Sequence, residues 1–267
     1  MQKSGIFSKE ISEHRMTGRI LFAVPCFNEA ENIPSLVAGF RRLAALSRAS
    51  FVTELVFIDD ASSDATQAAV QREMEAEGNG LEIGLLCHEK NLGLAGGLRT
   101  SFEYFSKRTS EDPGILACGL MDGDNSHNPG HIPEMASQIL KGFDVVICSR
   151  FQKGSRTLGV VWWRQILSLG MSFLFRSVRN IPGARDYSCG YRLYSAGLCA
   201  KVWADHGAKL VIEESFACMV ELLLRCHNAG ALITETPMLL RYDLKKGASK
   251  MRFARTISGT LKILLRR

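Results

Sequence analysis

The sequence predicts an α/β fold: a mostly parallel sheet with helices on both faces, followed by further helices toward the C-terminus. Three observations predict it. Through the first 150 residues, short apolar runs alternate with segments of helical apolar spacing, the pattern that right-handed βαβ crossovers impose. Polar clusters rich in Asp, Asn and Gly follow the apolar runs, where the carboxyl ends of strands would lie and where ligands bind in such sheets. Hydrophobic residues make up 46% of the chain, enough for a large core, yet no uninterrupted apolar run appears of the about 18 residues that would mark a membrane-spanning helix.

The elements follow in order. Arg19–Val24 (RILFAV) is an apolar run stopped by Pro25 and reads as a buried strand. Asn32 to Ser47 carries helical spacing through Ile33, Leu36, Val37, Phe40, Leu43 and Leu46, with Pro34 tolerated in the first turn. Phe51–Ile58 is the second strand, and Ser62 or Ser63 offers a cap for a helix over 64–77. Strands at 81–87, 115–121 and 143–148 then alternate with helices at 94–107 and 132–141. Beyond residue 150 the spacing predicts a helix over 162–178, an extended stretch at 187–194, a helix over 214–228, a strand at 231–236 and a basic amphipathic helix over 253–267. The expected plan is a polar lead over 1–18, one domain over 19–252 made of halves 19–150 and 151–252, and the terminal helix.

Charge is unevenly distributed. The net charge is +6, but Arg150 to Arg192 holds eight Lys/Arg against Asp186 alone, and Arg241 to Arg267 nine against Asp243 alone. Those stretches carry +7 and +8, leaving −9 for the rest. A basic C-terminal half points to phosphates or anionic lipid. Nucleic acid is the competing anion, but no nucleic-acid motif occurs and such binding leaves the acidic clusters unexplained. The eight cysteines form no CxxC pair, and the first twenty residues lack an apolar signal core. A reducing, cytoplasmic compartment is therefore expected.

The sharpest chemical signal is Asp122-Gly123-Asp124, directly after an expected strand. Two carboxylates around one glycine suit Mg²⁺ or Mn²⁺, which takes one or two carboxylates and completes its shell with phosphate oxygens and water. Alone, the tripeptide could equally be a polar turn. However, Asn28-Glu29 follows the first strand and Asp59-Asp60 the second, with Asp64 close behind. Three acidic clusters at one sheet edge mass negative charge that a cation and sugar or base donors would relieve. The basic half suits an acceptor that is already an anion. A sugar hydroxyl needs a carboxylate base, whereas a phosphate needs only positive charge to hold it, which the donor fork of Arg provides.

These stretches, taken together, resemble a known family. Val24-Pro25-Cys26-Phe27-Asn28-Glu29, Ile58-Asp59-Asp60-Ala61-Ser62-Ser63-Asp64, Asn91-Leu92-Gly93-Leu94-Ala95-Gly96-Gly97 and Met121-Asp122-Gly123-Asp124-Asn125-Ser126-His127 occur in that order. Ser149-Arg150-Phe151, Asp186 to Leu193, Glu235-Thr236-Pro237 with Arg241, and Gly247 to Met251 follow. The chain resembles family 2 glycosyltransferases with the GT-A fold, in particular the dolichyl- or polyprenyl-phosphate mannose and glucose synthases.

The resemblance implies that Pro25, Phe27 and Glu29 line the nucleotide, that Asp59 or Asp60 binds base or ribose, and that Gly93 to Gly97 bring backbone near the donor. It implies that Asp122 and Asp124 hold metal and diphosphate, with Ser126 near the metal. Arg150, Arg164, Arg192, Arg241, Ser249 and Lys250 would surround the acceptor phosphate and donor diphosphate, with Asp124, Arg150, Arg241 and Lys250 closest to the chemistry. The implied activity moves a hexose from a GDP-mannose or UDP-glucose type donor to a polyprenyl or dolichyl phosphate by metal-assisted inverting displacement, on the cytoplasmic face of a membrane. The alternative is a saccharide acceptor, for which Glu213 or Glu214 would be the base; otherwise both acids cap the helix that follows. Glu221 matches a family glutamate without an assigned task. Residues 160–178 suit either core or a membrane-surface helix, and 253–267 either headgroups or the body of the fold. His127 and His131 read as turn and cap residues.

Overall fold

The structure, a computed structural model, describes residues 18–47, 50–76, 80–247 and 253–265. The chain runs β1 (Gly18–Cys26), α1 (Ile33–Ser47), β2 (Phe51–Asp59), α2 (Thr66–Glu75), β3 (Glu82–Cys87), α3 (Gly93–Glu111), β4 (Ile115–Leu120), α4 (Ile132–Leu140) and β5 (Val145–Ser149). It continues with β6 (Arg156–Leu158), α5 (Trp162–Val178), β7 (Arg192–Ser195), α6 (Ala196–His206), α7 (Cys218–Asn228), β8 (Ile233–Pro237), β9 (Leu239–Arg241) and α8 (Phe253–Leu265).

Seven strands form one sheet in the order β3-β2-β1-β4-β7-β5-β8, with β6 and β9 as a separate parallel pair. β1 is parallel to β2 and β4, and β5 to β8, while β7 runs antiparallel between β4 and β5. The central strands are buried on both faces: Ile20 through Val24 and Leu55 through Ile58 are at most 1% exposed. That is why they read as continuous apolar runs rather than alternating ones. Each such Phe, Leu or Ile contributes about 1.5–3 kcal/mol on leaving water. Helix α1 buries Leu36, Val37, Phe40 and Leu43 on a single stripe.

Register sets the functional edge. Cys26 pairs with Asp59, Asp59 with Cys87 and Ala23 with Leu120, so the polar clusters following β1, β2, β3 and β4 all emerge side by side. Because β7 is antiparallel, the stretch that precedes it arrives at this same edge, beside the end of β5.

Several expectations change. Helix α6 was not expected; Ser195 caps it by accepting from the Leu198 N–H, and it packs on α3. Of the extended stretch 187–194 only Arg192–Tyr194 is strand, continuing to Ser195, and α7 begins at Cys218 rather than Glu214. Helix α8 lies on the body of the fold: Ile263 and Leu264 are buried, and the helix packs against α7. Helix α5 is the exposed one, with Trp162 at 70% and Phe173 at 73%.

Candidate active site

The first two loops at the sheet edge are laced together. Asn28 accepts from the N–H groups of Ser63 and Asp64 and donates its own N–H to Ser62 Oγ. The Glu29 N–H donates to Thr66 Oγ1, and the Ala30 N–H to Asp64 Oδ2. Asn28, Ala61 and Asn125 all take left-handed backbone, at φ of 53°, 57° and 60°. Asn tolerates such conformations, whereas for Ala61 they cost on the order of 1–2 kcal/mol. Three of them, one beyond each of β1, β2 and β4, fit the clustering of strain at functional sites. Pro25 near the end of β1 and Phe27 on the loop beyond it are half-buried, and Glu29 is buried.

The two aspartates ending β2 have different tasks. Asp60 faces the chain itself: its carboxylate accepts from the Leu92 and Gly93 N–H groups and meets His88 Nδ1 at 2.7 Å, while His88 Nε2 meets Thr100 Oγ1. It therefore builds the β3–α3 turn. Asp59 Oδ2 accepts from the Ser62 N–H and Gln67 Nε2, while its buried Oδ1 has no hydrogen-bond partner. Gly93, at φ +69°, has open space where a Cβ would stand. Gly97 has a packing role of its own. A Cβ there would lie 2.8 Å from Pro25 Cβ, so its absence lets α3 pack on the end of β1.

Asp122 and Asp124 occupy the loop beyond β4. The Asp124 Oδ1 accepts from both N–H and Oγ of Ser126, and its Oδ2 accepts from Lys245 Nζ at 2.6 Å. Ser126 thus orients Asp124. Burial raises the Asp122 carboxyl; His127 opposes that, while neighbouring Asp124 and Glu29 push it further up. Burial would raise Asp124 as well, but His127, Lys245 and Ser126 together hold it below the usual carboxylate range. Gly190, from the stretch before β7, leaves room for Asp122: a Cβ there would be 2.9 Å from Oδ1. No cluster of three or more His, Cys, Asp or Glu that could hold a metal occurs among the described residues. Two carboxylates nevertheless suit a hard divalent ion whose shell phosphate completes. The raised carboxyl and the ammonium standing against its neighbour both mark a place where positive charge is wanted.

The two histidines expected at this turn also make packing and backbone contacts. His127 stacks on Tyr191, and His131 Nε2 accepts from the Leu239 N–H.

Across the edge stands a rigid arginine. Arg150 binds Asp186 through Nε at 2.7 Å and a terminal nitrogen at 2.6 Å, and also donates to Ser188 Oγ. Asp186 is fully buried. Burial would raise its carboxyl, but the charge and hydrogen bonds of Arg150 hold it low. Glu235 on β8 fixes this pair from behind by accepting the N–H groups of Arg185 and Asp186. Arg241 ends β9, pairs with Asp243, and donates its backbone N–H to Ser126 O, which places it beside the aspartate loop.

Arg192 corrects the acceptor assignment. It is fully buried and donates to the carbonyls of Tyr187 and Met219, so it supports the core. Arg164 falls in the first turn of α5, but its side chain lies outside what is described, as do Ser249 and Lys250 entirely. Glu213 accepts from the Ser215 N–H, and Glu214 pairs with Arg99. Glu221 reaches back to accept the N–H groups of Ile212 and Glu213, a task that sequence reasoning could not assign. Lys245, Asn32 and the Asp186 carboxylate were also missed as site residues, because nothing local in sequence marks partners more than thirty residues apart.

A mostly parallel sheet whose edge bears an acid pair, with a buttressed arginine beside it, fits the GT-A fold, and the comparisons with solved structures agree on that fold. The chain superposes on the crystal structure of glucosyl-3-phosphoglycerate synthase from Mycobacterium tuberculosis in complex with Mn²⁺, UDP and phosphoglyceric acid, with a TM-score of 0.63 and 15% identity, over 93% of this chain and 79% of that one. Residues 22–203 match the profile of glycosyl transferase family 2, and the chain belongs to that family and is a glycosyltransferase. It is similar to polyprenol monophosphomannose synthase of Mycolicibacterium smegmatis, with 26% identity over 89% of this chain and 82% of the relative. It is also similar to undecaprenyl-phosphate mannosyltransferase of Micrococcus luteus, with 24% identity over 87% of each.

Proposed function

We propose that this glycosyltransferase transfers a hexose from a nucleotide sugar of the GDP-mannose or UDP-glucose type to a polyprenyl or dolichyl phosphate at a membrane surface. The observation that carries it is the placement of opposite charge around one rim: the Asp122/Asp124 pair beyond β4, with Arg150 and Arg241 at the ends of β5 and β9.

Mg²⁺ or Mn²⁺ held by Asp122 and Asp124 would neutralise the charge that develops on the departing diphosphate. Ser126 and Gly190 keep those carboxylates in place. Pro25, Phe27, Glu29 and Asp59 frame the nucleotide, and Gly93 leaves room for backbone to approach it. Arg150 and Arg241, joined by Lys250 and Ser249, hold the acceptor phosphate, an anion that attacks the sugar carbon without a general base. Glu213 and Glu214 already serve the loop before α7 and the bond to Arg99, which disfavours a base role and with it a saccharide acceptor.

Helix α5 supports contact with a bilayer surface: Trp162, Leu169 and Phe173 are exposed at helical spacing, with Arg176 beyond them. Among the described residues no helix is long and apolar enough to cross a membrane. The names of the two relatives, both concerned with polyprenyl phosphates, and the Mn²⁺ and UDP in the structural neighbour support the substrate and cation classes.

The test is a panel of nucleotide sugars offered with undecaprenyl phosphate and Mn²⁺, watching for a new glycolipid. One donor should give product with release of nucleoside diphosphate, and EDTA or Asp124→Ala should abolish it. Unchanged turnover in either case overturns the metal assignment; transfer to free saccharides alone overturns the acceptor.

A further inference from the structure

Beyond β9 the chain crosses the mouth of the site and is pinned at two points. Lys245 Nζ lies 2.6 Å from Asp124 Oδ2, and both side chains are close to 10% exposed, at 10% and 11%. The next residue is held by a pair of hydrogen bonds: the Lys246 N–H donates to Asn32 Oδ1 at 3.1 Å, and Asn32 Nδ2 donates to Lys246 O at 3.2 Å. Asn32 also donates to Glu29 Oε2 at 2.6 Å. Residues 242–247 therefore tie the β4–α4 loop to the β1–α1 loop over the edge where the acid pair sits. Gly247, at φ +85°, ends the pinned stretch in left-handed backbone that glycine adopts without strain.

Counting partners at Asp124 makes the contact informative. Oδ1 already accepts two bonds from Ser126, so Oδ2 is the oxygen on which an incoming cation must rely, and Lys245 stands on it. A divalent ion and an ammonium a few ångströms apart repel by several kcal/mol at an effective dielectric of about 20. The two therefore compete for one carboxylate oxygen.

We propose that Lys245 is the resident counter-ion of Asp124 and that residues 242–247 form a strap which the divalent cation displaces. Cation loading and uncovering of the donor site are then a single exchange. The proposal rests on the metal assignment above. Lys245 holds the carboxylate ionised and in place while the site is empty, and its release lets an arriving diphosphate take up the positive charge. Cation alone binds weakly because it must first open the strap, whereas cation with nucleoside diphosphate binds well.

The test is Mn²⁺ binding followed by electron paramagnetic resonance, without and with GDP or UDP, for the full chain and for Lys245→Met and Lys245→Arg. Circular dichroism confirms the fold of each. If the strap is closed in about nine molecules of ten, its removal tightens binding on the order of tenfold. Lys245→Met should therefore bind Mn²⁺ alone about tenfold more tightly than the unaltered chain, and Lys245→Arg should not. Trypsin supplies an independent readout: cleavage after Lys246 should quicken in the unaltered chain when Mn²⁺ and nucleotide are added, and should be quick without them in Asn32→Ala. Equal or weaker Mn²⁺ binding by Lys245→Met, or cleavage indifferent to Mn²⁺, overturns the exchange. Absence of Mn²⁺ binding in every variant, even with nucleotide, sinks the metal assignment itself, which separates the two failures.

Discussion

Arg150→Met tests whether the arginine opposite the acid pair is a preorganised element or a loose surface charge. Asp186 is fully buried and accepts from Arg150 Nε, a terminal Arg150 nitrogen, the Arg150 N–H and the Cys189 N–H. Substitution leaves only the two backbone bonds to balance a buried carboxylate. Removing one partner of a buried ion pair costs about 3–5 kcal/mol. Because the Arg150 side chain is 25% exposed, water can partly replace it, so the lower end, about 3 kcal/mol, is expected. Urea unfolding at pH 7 reads this directly. Adding Asp186→Asn should recover part of the loss, with a coupling of about 2 kcal/mol in the double-mutant cycle.

The pH dependence has a definite sign. The Asp186 carboxyl is held low in the folded chain, so its stabilisation is fully present above the unfolded value of about 3.9 and fades as pH falls through the folded one. In Arg150→Met the unpaired carboxyl gains from protonation, so the gap between variant and parent should narrow toward pH 4. A loss under about 1 kcal/mol at pH 7, within the range of exposed pairs, or a gap that does not change with pH, refutes the buttressed-pair account.

Four further outcomes are expected. Arg192→Met removes two charge-assisted bonds to carbonyls in the core and should cost about 2–4 kcal/mol in urea unfolding; acceptor KM should not move, and a raised KM at unchanged stability would return Arg192 to the acceptor site. Gly190→Ala places a Cβ 2.9 Å from Asp122 Oδ1 and should weaken Mn²⁺ binding on the order of tenfold while the fold melts normally. Burial pushes the Glu235 carboxyl up, so its ionisation lowers stability as pH rises from the unfolded value toward the folded one. Glu235→Gln should flatten that decline in thermal melts carried upward from about pH 4. Gly97→Ala drives a methyl against Pro25 and should destabilise by about 1–3 kcal/mol through overpacking, read by chemical unfolding.

Much of the fold was legible because the central strands are buried on both faces and therefore appear as unbroken runs such as Phe51–Ile58. The meeting of the Asn28-Glu29, Asp59-Asp60 and Asp122-Asp124 clusters at one edge followed from those runs, while the residue-by-residue register did not. Helix α6 escaped notice because Ala196–His206 has only Leu198, Cys199 and Val202 to bury and carries Gly197 near its start. The two amphipathic segments were not distinguishable by pattern: α8 covers its apolar face with α7, whereas α5 leaves Trp162 and Phe173 outside. Charged residues were least legible of all. Arg192 and Lys245 both lie in basic stretches, but one is enclosed by the carbonyls of Tyr187 and Met219 and the other meets an aspartate 121 residues away. A side chain's partner is a tertiary fact, and composition carries no trace of it.

The reversed direction of β7 has a consequence for how the two halves of the reaction can be tuned. Within five residues, the segment feeding that strand supplies Asp186, which grips Arg150, and Gly190, which abuts Asp122. A short bridge thus runs from Arg150 to Asp122. Under the proposed function, in which Arg150 meets the acceptor and Asp122 the donor, a change that reshapes this bridge to suit a bulkier acceptor must also shift the grip on the sugar donor. Variants selected for new lipids should therefore carry altered donor KM values, and compensating substitutions should gather on this bridge and not in the remote nucleotide loops.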